Sequence, residues 1–202
     1  PDMIIQFSTG GRGQDQALRG AMLFHRPDMA SLATGSVNFP HGIYENPPTF
    51  VDGLANEMNK YDIKPEIEVF DMAMLYSAAD LIKRGLLKAP AHVQFVMGVP
   101  NAMPAKRSIL EFLVSELKDI MPDATWTAAG IARHQLTVNE WALEMGGHAR
   151  TGLEDNIKYD QTRVAKDNAE LVSRVAELAT KYNRPIANGK LAREILGLRA
   201  AG

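Results

Sequence analysis

The stretch that decides the fold is EIEVFDMAMLYSAADLIKRGLLKAPAHVQFV, residues 66–96. Its two ends, residues 66–70 and 91–96, are short runs rich in β-branched and aromatic residues, which is typical of strands. Between them, residues 72–84 have helical character and end at Gly85, a residue that commonly follows a helix. Because neighbouring parallel strands need a crossover helix, this strand–helix–strand unit predicts a parallel sheet.

The same alternation continues on both sides of this unit. The six predicted strands are residues 3–8, 29–36, 66–70, 91–96, 125–129 and 148–153. The predicted helices are residues 14–24, 49–61, 72–84, 106–117, 137–145, 168–182 and 189–196, and residues 38–48 form a predicted loop. The alternation leaves two architectures open, an open doubly wound sheet or a (β/α) barrel, which needs eight units and typically about 250 residues.

The composition is that of one ordinary globular domain. The chain has 202 residues, of which 46% are hydrophobic and 23% charged, and a formal net charge of −2. This charge gives no electrostatic reason to bind nucleic acid or an anionic membrane. The absence of Cys excludes disulfides, thiolate zinc sites and a Cys nucleophile. With no apolar run of about 18 residues and no visible signal peptide, a cytoplasmic location is expected.

In either architecture, functional groups gather at the C-terminal ends of the strands. In the sixth strand, Arg150 and Glu154 share one face and are followed by Asp155. In the third strand, Glu66 and Glu68 share a face, and Glu68 lies nearer the C-terminal end. Buried charges are costly unless they are paired or bound to a metal. These residues therefore indicate a site, whereas His92, Gln94 and His148 lie early in their strands and favour a structural role.

Two glycine-containing loops follow neighbouring strands. Ser8, Gly10 and Gly11 belong to the segment STGG, and Thr34 begins the segment TGS. Hydroxyls and backbone N–H groups at a strand-to-helix turn suit a carboxylate or phosphate, so together the loops predict an anion pocket. The GGRG run at residues 10–13 lacks the spacing of a dinucleotide fingerprint, and no Walker loop, HExxH or His-x-His pair occurs.

Several blocks, in order over nearly the whole chain, resemble the β-keto acid cleavage enzymes, whose best-known activity is 3-keto-5-aminohexanoate cleavage. The blocks are FSTGG (7–11), SLATGSVNFP (31–40), YEN (44–46), KPEIEVFD (64–71), HVQFVMGV (92–99), GGHARTGLEDN (146–156) and AREILGL (192–198). The resemblance implies a zinc-dependent TIM barrel that joins a β-keto acid to acetyl-CoA and cleaves it by a retro-Claisen step. Acetoacetate and a new CoA thioester would result. Family members are commonly oligomers, so a homo-oligomer such as a tetramer is expected.

The resemblance also implies roles for individual residues. Glu154 resembles the carboxylate zinc ligand of the family, Asp155 its base and Arg150 the arginine that orients the base. Glu68 resembles a glutamate of the site. Groups that would hold the substrate carboxylate are Ser8 and Thr34, with the backbone of Gly10 and Gly11.

One part of the family pattern does not match. The family has two His zinc ligands in a His-x-His motif on its second barrel strand, which would precede Pro1. The expectation is therefore that residues 1–202 form the C-terminal three quarters of a single TIM-barrel domain, with strands three to eight. Such a piece by itself is expected to bind zinc weakly and to be inactive. Two alternatives stay open: a metal-dependent aldolase or lyase acting on another oxo-acid, and a catalytically incomplete barrel that only binds a carboxylate ligand or serves as a scaffold.

Overall fold

The computed structural model describes residues 3–11 and 15–199. Its main sheet has six strands: β1 (Gln6–Phe7), β2 (Met29–Ala33), β5 (Lys64–Val69), β6 (His92–Met97), β7 (Thr125–Gly130) and β8 (His148–Arg150). They lie side by side in chain order, every neighbouring pair is parallel, and the sheet is curled. A doubly wound sheet reverses its strand order at a switch point, so this order excludes it and matches the wall of a barrel.

The segment predicted as a loop at residues 38–48 contains a small hairpin instead. Strands β3 (Val37–Phe39) and β4 (Gly42–Tyr44) pair antiparallel, with Gly42 at φ +149° after the turn. The rings of Phe39 and Tyr44 stack at 5.6 Å, and Phe70 packs edge-on against both. This aromatic packing outweighs the turn-forming composition that favoured a loop.

Seven helices lie among the described residues. They are α1 (Gln16–Arg19), α2 (Pro48–Lys60), α3 (Met72–Lys83), α4 (Arg107–Ile120), α5 (Gln135–Glu144), α6 (Asn168–Lys181) and α7 (Gly189–Leu196). The prediction of a helix over residues 14–24 was wrong beyond one turn, and Gln14 lies outside the described residues. The chain leaves the α-helix at Gly20, which contacts Leu54, and forms a 3₁₀ turn at Leu23–His25.

Polar side chains fix the starts of the helices that flank the strands. Asp71 accepts a hydrogen bond of 3.0 Å from Met74 N at the start of α3, and Asp167 accepts one of 2.8 Å from Glu170 N at the start of α6. These caps set where α3 and α6 begin.

The core lies between the outer face of the sheet and the apolar faces of the helices. Ile67 and Val69 of β5 are buried in this cluster, and Val93 and Phe95 of β6 follow the same alternation. The intervening positions, which include Glu66 and Glu68, turn to the opposite face of the sheet. None of the helices within residues 3–11 and 15–199 combines the length and apolar character needed to cross a bilayer.

Candidate functional site

A cavity of about 420 Å³ lies on the polar face of the curled sheet and is lined from every one of its strands. Its lining residues are Gln6, Ser8, Ser31, Glu66, Glu68, Gln94, Thr127, Ala149, Arg150 and Glu154. The predicted polar face therefore forms a single cavity. Ala149 of β8, the last strand of the described sheet, lines the cavity as well.

Arg150 organises three carboxylates at the mouth of this cavity. Its Nε and Nη2 each donate a hydrogen bond of 2.8 Å to Asp155, which makes a bidentate pair. Nη2 also donates to Glu154 at 3.2 Å, and Nη1 lies 3.8 Å from Oε1 of Glu68. Burial alone would lower the pKa of Arg150, but the bonds and charge of Asp155, together with the charges of Glu68 and Glu154, outweigh burial and raise that pKa.

The three carboxylates differ in exposure. The side chain of Asp155 is 5% exposed and that of Glu68 is 14% exposed, whereas that of Glu154 is 87% exposed. Asp155 is thus a sheltered group that Arg150 orients, while Glu154 reaches toward solvent. The structure brings together four of the predicted residues, Arg150, Glu154, Asp155 and Glu68.

Helix α5 holds the backbone that carries Arg150. The side-chain amide of Asn139 donates to Arg150 O at 2.7 Å, and that of Gln135 donates to Gly152 O at 2.9 Å. Both amide side chains are fully buried. After β8, Gly152 takes φ +157°, a conformation that L side chains rarely adopt, and the chain then turns Asp155 back over the strand end.

Sequence reasoning missed Gln135 and Asn139. The only available signal is that two amide residues lie four apart and therefore share one face of a helix that also buries Val138 and Ala142. Buried amides that bond to main-chain carbonyls are structural groups, and here they support the residues that carry the chemistry.

Glu68 and Glu66 form a pair of carboxyl groups with altered acidity. Burial, and next the charge of Glu66, raise the pKa of Glu68 to about 7, although the charge of Arg150 opposes this. Burial also raises the pKa of Glu66, which accepts hydrogen bonds of 2.6 Å from Gln6 and 3.3 Å from Gln94. Near neutral pH, Glu68 can therefore both give and take a proton.

His92 and His148 are not among the residues that line the cavity. Nδ1 and Nε2 of His92 lie 2.8 Å from Thr125 Oγ1 and 3.1 Å from Thr127 Oγ1. Burial lowers the pKa of His92 to about 3 and also lowers the pKa of His148, whose ring centre lies 6.3 Å from that of His92. A neutral imidazole bonded at both nitrogens agrees with the structural role that the sequence favoured.

The two predicted anion loops do not meet. Ser8 lines the barrel cavity, and its Oγ accepts a hydrogen bond of 3.1 Å from Gly10 N. The hydroxyl of Thr34 instead donates to Met74 O at 2.7 Å and faces a second cavity, of about 780 Å³, between α2 and α3. Gly11 is partly buried beside Gly10, and the rest of the GGRG run, residues 12 and 13, lies outside the described residues.

The zinc expectation can be tested against the side chains present. Over residues 3–11 and 15–199, no three His, Asp or Glu side chains form a group able to hold a metal ion. The predicted ligand Glu154 is exposed and bonded to Arg150. The described residues therefore do not fit a complete zinc site.

Known proteins are similar to this sequence over nearly its whole length. A profile of the beta-keto acid cleavage enzyme family matches residues 1–198. The chain is 55% identical to the 3-oxoadipate:acetyl-CoA acetyltransferase of Cupriavidus necator, with 98% of this chain and 70% of that protein aligned. It is 38% identical to the 3-keto-5-aminohexanoate cleavage enzyme of Acetoanaerobium sticklandii, with 98% and 72% aligned.

Solved structures of ObcA share the fold. The apo structure superimposes with a TM-score of 0.86 at 24% identity, and the ternary complex with a C4-CoA adduct and oxalate with a TM-score of 0.84 at 25% identity. Both cover 98% of this chain, which spans about half the length of the ObcA chains. The six-stranded curled sheet is therefore part of a TIM barrel, and the chain belongs to the beta-keto acid cleavage enzyme family.

Proposed function

We propose that the protein cleaves a β-keto acid with acetyl-CoA, giving acetoacetate and a new CoA thioester. The names of two relatives describe reactions of keto acids, and the 55% identical relative is named for 3-oxoadipate and acetyl-CoA. A C4-CoA adduct is bound in one ObcA structure. With 3-oxoadipate as substrate, the new thioester would be succinyl-CoA.

The observation that carries the proposal is the Arg150–Asp155 pair at the cavity mouth. The most acidic C–H of a β-keto acid lies at C2, between the keto group and the carboxylate. A sheltered carboxylate with a fixed orientation can remove this proton, and the bidentate guanidinium supplies the orientation.

The reaction needs no reagent besides the β-keto acid and acetyl-CoA. The electron pair left at C2 attacks the acetyl carbonyl of acetyl-CoA, a C2–acetyl bond forms and CoA thiolate leaves. The thiolate then adds to the keto carbon C3. The C2–C3 bond breaks, its electron pair returns to C2, and a proton completes acetoacetate while the rest of the keto acid leaves as the CoA thioester.

Glu68 suits the proton-handling part of this sequence. Its pKa of about 7 lets it deliver a proton and recover it at neutral pH, and it lies 3.8 Å from the guanidinium that holds Asp155. Gln94 lies within 3.5 Å of both Glu66 and Glu68 and keeps the two carboxyl groups in place.

Zinc dependence is implied by the family resemblance, with Glu154 as one ligand. The described residues supply no group of three His, Asp or Glu side chains for it, so the steps above are assigned to protein groups alone. A homo-oligomer, a cytoplasmic location and the extent of the domain over residues 1–202 also stay predictions.

The test is acetyl-CoA-dependent turnover by the protein expressed from its complete gene. Proton NMR would follow 3-oxoadipate and 3-keto-5-aminohexanoate, each with and without acetyl-CoA. The proposal predicts acetoacetate and a new thioester in equal amounts, and only with acetyl-CoA. Consumption of the keto acid without acetyl-CoA would favour an aldolase or lyase, and binding without turnover would favour a barrel that only holds a carboxylate.

A further inference from the structure

Arg19, at the end of α1, is a buried cation whose partners are all neutral. Its side chain donates to Thr9 O at 2.8 Å, to Glu45 O at 2.7 Å and to Asn46 Oδ1 at 2.6 Å. The residue is 7% exposed, and within the described parts of the chain it forms no ion pair with a carboxylate. Because a guanidinium stays charged in proteins, its positive field is not cancelled locally.

Arg19 contacts the side chain of Tyr44 in two ways. Nη2 of Arg19 donates to Tyr44 Oη at 3.2 Å, and the guanidinium lies 5.0 Å from the centre of the Tyr44 ring. The phenol oxygen is therefore an acceptor for Arg19, and the side chain of Asn46 also forms a hydrogen bond with it. Burial, followed by the charge of Glu68, raises the pKa of Tyr44 to about 12, so the hydroxyl keeps its proton.

The hydroxyl of Tyr44 lies close to Gly10, which has no side chain of its own. A Cβ atom at Gly10 would stand 3.4 Å from Tyr44 Oη and 3.2 Å from Ser8 Oγ, with no other neighbour recorded within 4 Å. Glycine thus keeps clear a position that two hydroxyls flank. Ser8 also lines the barrel cavity, so this space adjoins the candidate site.

We propose that Tyr44, backed by Arg19, donates a hydrogen bond to the carboxylate of the β-keto acid above Gly10, together with Ser8. This inference rests on the proposed function and adds two residues to it. A carboxylate only accepts hydrogen bonds and gains from a nearby uncancelled cation, which is what these groups offer. Tyr44 would touch the ligand, whereas Arg19 would be a positioning residue because its own donors are occupied by neutral acceptors.

The variant Tyr44→Phe tests the donor while it keeps the ring that packs on Phe39 and Phe70. Tyr182→Phe is the matched control, because it removes a hydroxyl that bonds to Glu140 at 2.8 Å, outside the cavity lining. Calorimetry would measure the dissociation constants of acetoacetate and of its neutral methyl ester. We expect Tyr44→Phe to weaken acetoacetate binding roughly tenfold and to leave the ester unchanged, while the control changes neither.

Arg19 variants separate charge from packing. Arg19→Gln should lose acetoacetate selectivity as Tyr44→Phe does, and Arg19→Lys should recover part of it because the charge is kept. Equal weakening of both ligands, or unchanged acetoacetate binding in Tyr44→Phe, would overturn the inference, as would an unsubstituted protein that does not prefer acetoacetate to its ester. Selective binding without acetyl-CoA-dependent turnover would instead overturn the proposed function and leave this site standing.

Discussion

Arg150 and Asp155, five residues apart around the end of β8, are joined by two hydrogen bonds of 2.8 Å each. The same guanidinium reaches Glu154 and lies near Glu68, so one cation sets the positions of three acids. Because the pair is bidentate, it fixes the orientation of Asp155 as well as its distance. The geometry makes the mouth of the barrel cavity sensitive to small changes at Arg150.

The first prediction concerns the fork of donors on Arg150. Arg150→Lys keeps the charge but removes the bidentate geometry, so we expect kcat to fall about 100-fold because the base is misaligned. Steady-state kinetics with a β-keto acid and acetyl-CoA would measure this. Arg107→Lys is the matched control, since Arg107 forms an exposed bidentate pair with Glu144 and is expected to leave kcat unchanged. Equal kcat in the Arg150 variant and the control would contradict the role of the fork.

The second prediction concerns the support from α5. Asn139→Ala leaves the half-buried carbonyl of Arg150 without its donor, so the free energy of unfolding should fall by about 1–3 kcal/mol and kcat should fall with it. Asn59→Ala is a useful comparison, because Asn59 donates in the same way to Leu86 O at 2.6 Å, outside the cavity lining. Urea unfolding should show a stability loss in both variants, and kinetics a loss of kcat only in Asn139→Ala. A similar kcat in both would show that Asn139 has only a structural role.

The third prediction concerns the acidity of Glu68. Its pKa is raised to about 7 in the folded protein against an ordinary value of 4.5, so the folded state binds more protons than the unfolded state between these values. Stability should therefore decrease as pH rises through this window. Glu68→Gln removes the cost of ionising a buried carboxyl. The variant should therefore be more stable than the unsubstituted protein at pH 8, by up to about 3 kcal/mol.

The check on Glu68→Gln is urea unfolding at several pH values. The stability gain should be small near pH 4.5, where the carboxyl is protonated in the folded state and half protonated in the unfolded state, and it should vanish below that pH. A gain that is the same at pH 4.5 and pH 8 would contradict the raised pKa of Glu68.

The fourth prediction concerns His92 in acid. Burial lowers its pKa to about 3 against 6.5, so the unfolded state takes up a proton first as pH falls, and stability is lost from about pH 6.5 downward. His92→Gln loses the bonds to Thr125 and Thr127 and should be less stable at pH 7. The difference in the free energy of unfolding between His92→Gln and the unsubstituted protein should narrow by on the order of 3 kcal/mol between pH 7 and pH 4. Thermal unfolding across this range measures it, with exposed His41→Gln as control, and a constant difference would refute the prediction.

The fold was predictable where hydrophobic alternation was strong. For β5, α3, β6 and α4 the apolar residues recur with strand or helix period, and their existence and approximate bounds follow from the sequence. The hairpin β3–β4 was missed because its pairing depends on aromatic contact with the distant Phe70. The α1 helix was overestimated because Gly20 ends it in a tertiary contact with Leu54, which local propensity does not report.

The site was predictable where a charge stood at a strand end. The pairing of Arg150 with Asp155 could be expected in this way, because a charge on an inward position needs a partner, and their catalytic role stays a prediction. Arg19 and Tyr44 gave no such signal, since their partners lie in loops 10 to 27 residues away and become neighbours only after folding. The hydroxyl of Thr34 donates to Met74 O, a partner 40 residues along the chain that the sequence does not indicate, and its contact with a substrate carboxylate stays a prediction.

The most direct test of the account is the rate of acetoacetate formation by Asp155→Asn, measured by NMR with 3-oxoadipate and acetyl-CoA on the protein expressed from its complete gene. Asparagine keeps the size of the side chain and one acceptor for Arg150, but it cannot accept the C2 proton. The account predicts that kcat falls by about 10²–10⁴-fold, with thermal stability and acetoacetate binding little changed. A variant that turns over within threefold of the unsubstituted protein would contradict the assignment of Asp155 as the base.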